Sequence, residues 1–324
     1  MPLAEAEGAV LAHSVALPGG RLRKGVVLGA AEVARLRAGG LTEVVAARLD
    51  PGDVGEDAAA ARLADALAGA GLARRAAFTG RANLHAEGPG VLRVDRAAVD
   101  AANAVDPALT VATLPEWQRV VAGTMAATVK VIAYGVAAAA LDRACDAARG
   151  ALAVARPVVD RAALIVTVLP GAPTGAEAVV ARLDRLGIAA EPAEVPHDTG
   201  ALASALAATD APLRLILTAS ATSDARDVGP AALLAAGGRL TRFGMPVDPG
   251  NLLFLGRLDG ADVIGLPGCA RSPALNGADW VLERLACGVP VTHADVAGMG
   301  VGGLLGEIPT RPQPRDRPPR GRDD

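Results

Sequence analysis

The sequence predicts an α/β protein: a C-terminal three-layer α/β/α domain over 156–296 on a mostly parallel sheet, preceded by a smaller mixed α+β region over 1–155. A Gly-rich and then Pro/Arg-rich disordered tail is expected over 297–324. Three observations carry this. From Ala163 onward, apolar branched runs alternate with helix-period runs, the βαβ pattern that right-handed crossovers turn into a parallel sheet covered on both faces. Leu213 to Thr218 is short and mostly aliphatic, as in a strand buried on both sides. The chain has 324 residues, 51% of them hydrophobic, enough for two cores at a usual domain size of about 100 to 200 residues.

Taken in order, Leu3 to Leu28 mixes strand-like pieces with a Pro18-Gly19-Gly20 turn. Ala30 to Ala38 has helical spacing and stops at Gly39-Gly40. Thr42 to Arg48 reads as a strand, Asp50-Pro51-Gly52-Asp53 as a turn, and Asp57 to Ala70 as an amphipathic helix with Leu63 and Leu67 on its apolar face. Thr79 to Glu87 is a polar island in which Arg81, Asn83 and His85 alternate, so that on a strand they share one face. That face is either solvated or a ligand edge, since the arginine fork suits phosphate. Strand, helix, turn and strand follow from Val91 to Pro115, then a strand over Met125 to Ile132 and a helical region over Val136 to Ala148. Lys130 is either a core-edge cation that reaches solvent or a contact for an anionic ligand.

A domain boundary is expected between Arg149 and Asp160. Beyond it the elements run strand (Ala163 onward), helix (Gly175 to Leu186), strand (Ile188 to Val195), helix (Thr199 to Ala208), strand (Leu213 to Thr218) and helix (Val228 to Ala236). Asp198 is placed to cap the second helix, and His197 reads as a turn residue rather than a catalyst. Arg271 to Cys287 forms the last long helix, with Leu275, Trp280, Leu282 and Leu285 as core candidates. The run Gly298 to Gly303 has G-x-G-x-x-G spacing, but no strand leads into it, which argues against a dinucleotide site.

Composition excludes several classes. Aromatic residues make up 2% of the chain, so no series of stacking platforms for single-stranded nucleic acid exists. A net charge of −3 with lysine only at 24 and 130 leaves no basic footprint for duplexes. Cys145, Cys269 and Cys287 are scattered and odd in number, which suits a reducing, cytoplasmic setting. The histidines at 13, 85, 197 and 293 lack metal-ligand spacing. The apolar run Val120 to Leu141 carries Lys130 at its centre, where a charge costs roughly 2.5 to 3.5 kcal/mol in a bilayer, so no membrane span is expected.

In open α/β sheets ligands bind beyond the carboxyl ends of strands. Directly after Leu213 to Thr218 come Ser220, Thr222, Ser223, Asp224 and Asp227. Two Gly/Pro turns, Asp248-Pro249-Gly250-Asn251 and Leu266-Pro267-Gly268-Cys269, would converge on the same edge if their strands lie parallel.

These three blocks resemble the molybdopterin-binding domain of the molybdopterin molybdenumtransferases. The family's strand ends in Thr-Thr-Gly-Gly-x-Ser-x-Gly-x-x-Asp, matched here by Leu217 to Asp227, and is followed by a Pro-Gly and a Leu-Pro-Gly turn at similar spacing. Gly25 to Leu28 and Leu41 to Val44 also resemble the opening of that family. The resemblance implies molybdopterin or molybdenum cofactor as ligand, bound by Thr218, Ser220, Thr222, Ser223, Pro249, Gly250, Asn251, Pro267, Gly268 and Cys269. It gives Asp227 a catalytic role and the holding of Mg2+, against the plainer reading of a helix N-cap. It further implies a homo-oligomer acting beside a cofactor nucleotidyltransferase or a molybdoenzyme. The departures are Ala219 and Ser220 in place of the glycine pair, Asp224 for the third glycine, Asn251 where lysine is usual, and Leu169-Pro170-Gly171 where the family has Thr-Gly-Asp-Glu. Three readings follow: a transferase that inserts molybdate, a non-catalytic module that binds or hands on the cofactor, and an unrelated small-molecule α/β protein.

Overall fold

The computed structural model describes residues 1–171 and 174–306. The chain divides into two compact units, one of Met1–Gly88 and Leu92–Val154, the other of Pro89–Val91 and the residues from Ala155 onward.

In the first unit, α1 (Ala30–Ala38) begins where Glu32 accepts a hydrogen bond from the Gly29 amide and ends at Gly39. Its Val33 and Leu36 pack with Leu3, Leu11 and Leu28 in a small core of their own. The larger core lies between α2 (Glu56–Leu67) and an antiparallel sheet of β1 (Leu72–Arg74), β2 (Arg81–Ala86), β3 (Leu109–Thr113) and β4 (Met125–Val131), in the order β1-β2-β4-β3. Leu63 and Leu67, four apart and fully buried, meet Leu84, Val111 and Val129 of the sheet. Each such leucine stabilises the unit by roughly 1.5–3 kcal/mol. Two further helices, α3 (Arg96–Asn103) and α4 (Ala138–Ala148), pack on each other, the first capped by the Asp95 carboxylate, which accepts from the Ala98 amide. The strand expected over Thr42 to Arg48 shrinks to Ala46–Ala47, paired with Val10–Leu11.

The second unit carries a six-stranded sheet with helices on both faces. In chain order it contains β5 (Ala163–Val168), α5 (Glu177–Asp184), β6 (Pro192–Pro196), α6 (Thr199–Ala208), β7 (Leu213–Leu217), α7 (Val228–Ala235), β8 (Arg239–Phe243), β9 (Phe254–Leu258), β10 (Ala261–Leu266), α8 (Gly277–Ala286) and α9 (His293–Ala297). The strand order is β6-β5-β7-β10-β9-β8; the first four strands and β8 point the same way, and β9 alone runs antiparallel between β10 and β8. Alternation along β7 sends Leu213, Leu215 and Leu217 into the core shared with α5 and α8, while Ile216 joins α6 and α7 on the opposite face. Arg214, in the same buried strand, turns its guanidinium to the Leu206 carbonyl in the last turn of α6, where a cation meets the negative helix end. The prolines of β6 fit because it is an edge strand, where a missing amide costs no ladder bond.

The C-terminal half departs from the expected parallel pattern at one point. Asp259 and Gly260, both with positive φ, join Leu258 to Ala261 in a two-residue hairpin, the turn that an Asp-Gly pair favours. This reverses β9, so the entrance of β9 and the exit of β10 lie on the same sheet edge as the exits of β5 and β7. The two Gly/Pro turns therefore converge as expected: β8, which leads into the first, points the same way as β10, which leads into the second, and the antiparallel β9 carries the chain away from the first turn.

The last long helix also begins later than expected. Gly268–Arg271 is a short 3-10 turn, and α8 starts at Gly277 behind an Asn276–Asp279 capping box. Leu275, expected in the core, is 53% exposed in the linker ahead of it, whereas Leu282 and Leu285 are buried. Residues 298–306, expected in the tail, fold back: Asp248 donates its amide to Gly303 and accepts from the Leu305 amide, and Met299 is buried. Residues 307–324, with the Pro/Arg-rich run, lie outside the described residues. The glycine run 298–303 follows helix α9 and not a strand. Among the described residues no helix is long and apolar enough to cross a membrane.

Candidate functional site

A sheet ordered β6-β5-β7 has its switch point between β5 and β7, where one connection leaves to the left and the next returns to the right. Crevices at such points open at the carboxyl ends of the strands. The candidate site lies on this edge, in two adjoining parts.

The first part is a cavity of about 360 Å³ lined by Ala221, Asp248, Pro249, Gly250, Asn251, Leu252, Pro267, Gly268 and Cys269. Its size lies in the range of small-molecule sites, about 300–1,000 Å³. Six residues singled out in the sequence, Pro249, Gly250, Asn251, Pro267, Gly268 and Cys269, meet here. Local packing explains their placement. Gly250 has φ 143° and sits so close to the start of α8 that a Cβ would lie 2.8 Å from the Gly277 nitrogen, while the Gly277 amide donates to the Pro249 carbonyl at 2.8 Å. Asn251 donates its side-chain amide back to the Met245 carbonyl at 3.4 Å, bracing its own turn.

Arg182 holds the Leu-Pro-Gly side. It is 5% exposed; its Nε donates to Asp279 at 2.5 Å, and Nη1 and Nη2 donate to the carbonyls of Ala178, Ala270, Ser272 and Ala274. A buried arginine on α5 thereby fixes the segment between the 3-10 turn and α8, and Asp279 neutralises it while accepting from the Asn276 amide at 2.8 Å.

The second part is the loop Thr218 to Asp227. Thr218 and Thr222 are each 5% exposed. Thr218 Oγ1 donates to the Ser220 carbonyl at 2.8 Å, so Thr222, 3.3 Å from Thr218 Oγ1, is the donor of that pair. Both threonine hydrogens are thus spent inside the loop. Asp227 precedes α7, yet its carboxylate accepts from the Ser223 and Asp224 amides at 2.7 and 2.9 Å and makes no side-chain cap bond to the helix. Asp224 pairs with Arg226, whose guanidinium holds its carboxyl below the usual range. Neither Asp227 nor any hydroxyl of the loop lines the cavity; Ala221 is the loop's contribution. Among the described residues no group of three or more His, Cys, Asp or Glu is arranged to hold a metal ion, and Asp227 is not part of such a group.

Sequence reasoning passed over three residues on this edge. Thr167, 1% exposed on β5, accepts the Ala219 amide at 2.9 Å and lies 2.8 Å from His197 Nδ1. His197 Nε2 lies 2.9 Å from Ser220 Oγ. Among the described residues the acceptor within reach of the Thr167 hydroxyl hydrogen is His197 Nδ1, and leaving a buried hydroxyl hydrogen unpaired costs about 1–3 kcal/mol. The direction of the chain follows: Ala219 N–H to Thr167 Oγ, Thr167 O–H to His197 Nδ1, His197 Nε2–H to Ser220 Oγ. Arg271, the third residue, spans three loops; Nε donates to the Thr174 carbonyl at 3.0 Å and Nη2 to the Thr218 carbonyl at 2.9 Å. Its stem lies over Gly175, where a Cβ would come within 2.6 Å, and burial lowers its pKa below the ordinary arginine value. The signal for His197 was present in the sequence, since it follows the end of β6 as Ser220 follows β7.

In the first unit, Arg81, Asn83 and His85 share one face of β2 as expected, opposite Ala82, Leu84 and Ala86 on the core side. Lys130 on the neighbouring strand donates to the Thr79 carbonyl. Burial and then the charge of Arg75 lower the His85 pKa.

Among known proteins, residues 1–48 match the model of a domain of unknown function (DUF8806). No curated protein matches the chain. A search of solved structures returns the crystal structure of molybdopterin biosynthesis moea protein from Pyrococcus horikosii, at a TM-score of 0.29 and 12% identity, over 93% of this chain and 75% of that one. Agreement at that level defines neither fold nor function.

Proposed function

We propose that the second unit binds a molybdopterin-type pterin, in free or nucleotide form, as a step in molybdenum cofactor biosynthesis. The observation that carries the reading is the convergence of both Gly/Pro turns and Ala221 on one cavity of about 360 Å³ at the carboxyl edge of the sheet, since these are the blocks that resemble the molybdenumtransferases. The backbone of the turns and the exposed hydroxyl-bearing loop beside them supply hydrogen-bond groups for a pterin and its phosphate.

A binding or carrier role is favoured over molybdate insertion by one contact. Asn251 stands where the family usually has lysine, and its amide is turned to the Met245 carbonyl, so no cation stands at that position of the turn. A charge there would stabilise the developing oxyanion or phosphate. Under this reading the wild type binds pterin and converts adenylylated molybdopterin slowly, and Asn251→Lys raises molybdate-dependent nucleotide release more than pterin affinity. Ordinary transferase turnover by the wild type, supplied with molybdate and magnesium, would sink the carrier reading.

A further inference from the structure

We infer that Ser220, oriented by His197 and Thr167, is an outward-facing hydrogen-bond donor to an oxyanion, and that Arg271 supplies the positive field of that subsite. This deepens the pterin reading and rests on it for the identity of the ligand, though not for the anion. Ser220 Oγ accepts from His197 Nε2 at 2.9 Å, so its own hydrogen must point elsewhere. Ser220 is exposed, and among the described residues no acceptor takes that hydrogen. The relay begins at a backbone amide and passes through a buried hydroxyl, so each donor polarises the next and the last is aimed at solvent on the switch-point edge.

The charge comes from a second, independent observation. Arg271 makes its bonds to carbonyl oxygens, of Thr174 and of Thr218, and pairs with no carboxylate among the described residues. A half-buried guanidinium without a counter-ion, held against the strand end two residues before Ser220, favours an anion there. The ligand class is a phosphate monoester or a comparable tetrahedral oxyanion. His197 and Thr167 are positioning residues, since they act through Ser220.

The test uses the full chain and two readouts. Histidine 15N–1H correlation spectra should show the Nε2–H tautomer for the signal that disappears in His197→Asn; the Nδ1–H tautomer overturns the relay. Inorganic phosphate, followed by 31P line broadening, should bind the wild type and bind Ser220→Ala about tenfold more weakly. His197→Asn keeps an acceptor near Thr167 but cannot reach Ser220, and should weaken phosphate binding similarly. His197→Gln, whose amide reaches the Nε2 position, should restore much of the loss. Melting temperatures near the wild type establish that each variant folds. No phosphate binding by the wild type, or equal binding by Ser220→Ala, overturns the subsite. Phosphate bound through Ser220 with no pterin bound would instead refute the pterin reading and leave the subsite standing.

Discussion

At the scale of single residues, hydrogen-bond direction decides which of the candidate groups can meet a ligand. Thr218, Ser220, Thr222 and Ser223 look equivalent as a run of small hydroxyl residues, yet burial and donor counting separate them. The two threonines lock the loop, and Ser220 keeps a donor to spare. Arg182 shows the same logic in a structural role. Removing it strands Asp279 in a buried site along with four carbonyls, so Arg182→Ala should lower stability by about 3–5 kcal/mol in urea unfolding. A change below about 1 kcal/mol would mean that the pair is not buried as described. The thiols offer a further check. Burial pushes the Cys287 pKa up to about 11, while Cys269 lines the cavity. Iodoacetamide near pH 8 should therefore modify Cys269 well before Cys287, and bound pterin should protect Cys269. Equal rates at both cysteines would contradict the burial pattern.

At the scale of elements, much of the second unit was legible in the sequence because its strands are short apolar runs between helix-period segments. Strand β5, helices α5, α6 and α7, and strand β7 all fall within the ranges their periodicity suggests. The reversal of β9 was missed although its signal, Asp259-Gly260 between apolar runs, is a strong local one; the βαβ expectation overrode it. The start of α8 was misplaced although two local signals oppose a helix from Arg271: Pro273 holds Ser272 extended, and Asn276 with Asp279 forms a capping box that starts α8 at Gly277. Arg182, taking the carbonyls of Ala270, Ser272 and Ala274, adds a tertiary hold on that segment. The relay was illegible for a related reason: Thr167, His197 and Ser220 come from three separate strand ends, and only the β6-β5-β7 order brings them together. Packing between elements gives a sharp prediction at Gly265. A Cβ there would fall 1.8 Å from the ring of fully buried Phe254, so Gly265→Ala should cost roughly 1–3 kcal/mol or more. Little or no loss in a chemical melt would show that the ring can move aside.

At the scale of the whole molecule, each unit buries its own apolar residues, and the two cores on either face of the six-stranded sheet are drawn entirely from residues 159–305. A fragment of residues 155–306 should therefore unfold cooperatively, as monitored by circular dichroism, and failure to do so would contradict the division. The candidate site also belongs wholly to this unit, so its ligand can be tested directly. The most decisive measurement is the equilibrium binding of molybdopterin, read as fluorescent pterin after oxidation, by the wild type and by Ala221→Trp, which fills the mouth of the cavity. One pterin per wild-type chain is expected, and a loss of at least tenfold in affinity in the variant, with an unchanged melting temperature. No pterin on the wild type, or equal affinity in both proteins, would contradict the pterin reading.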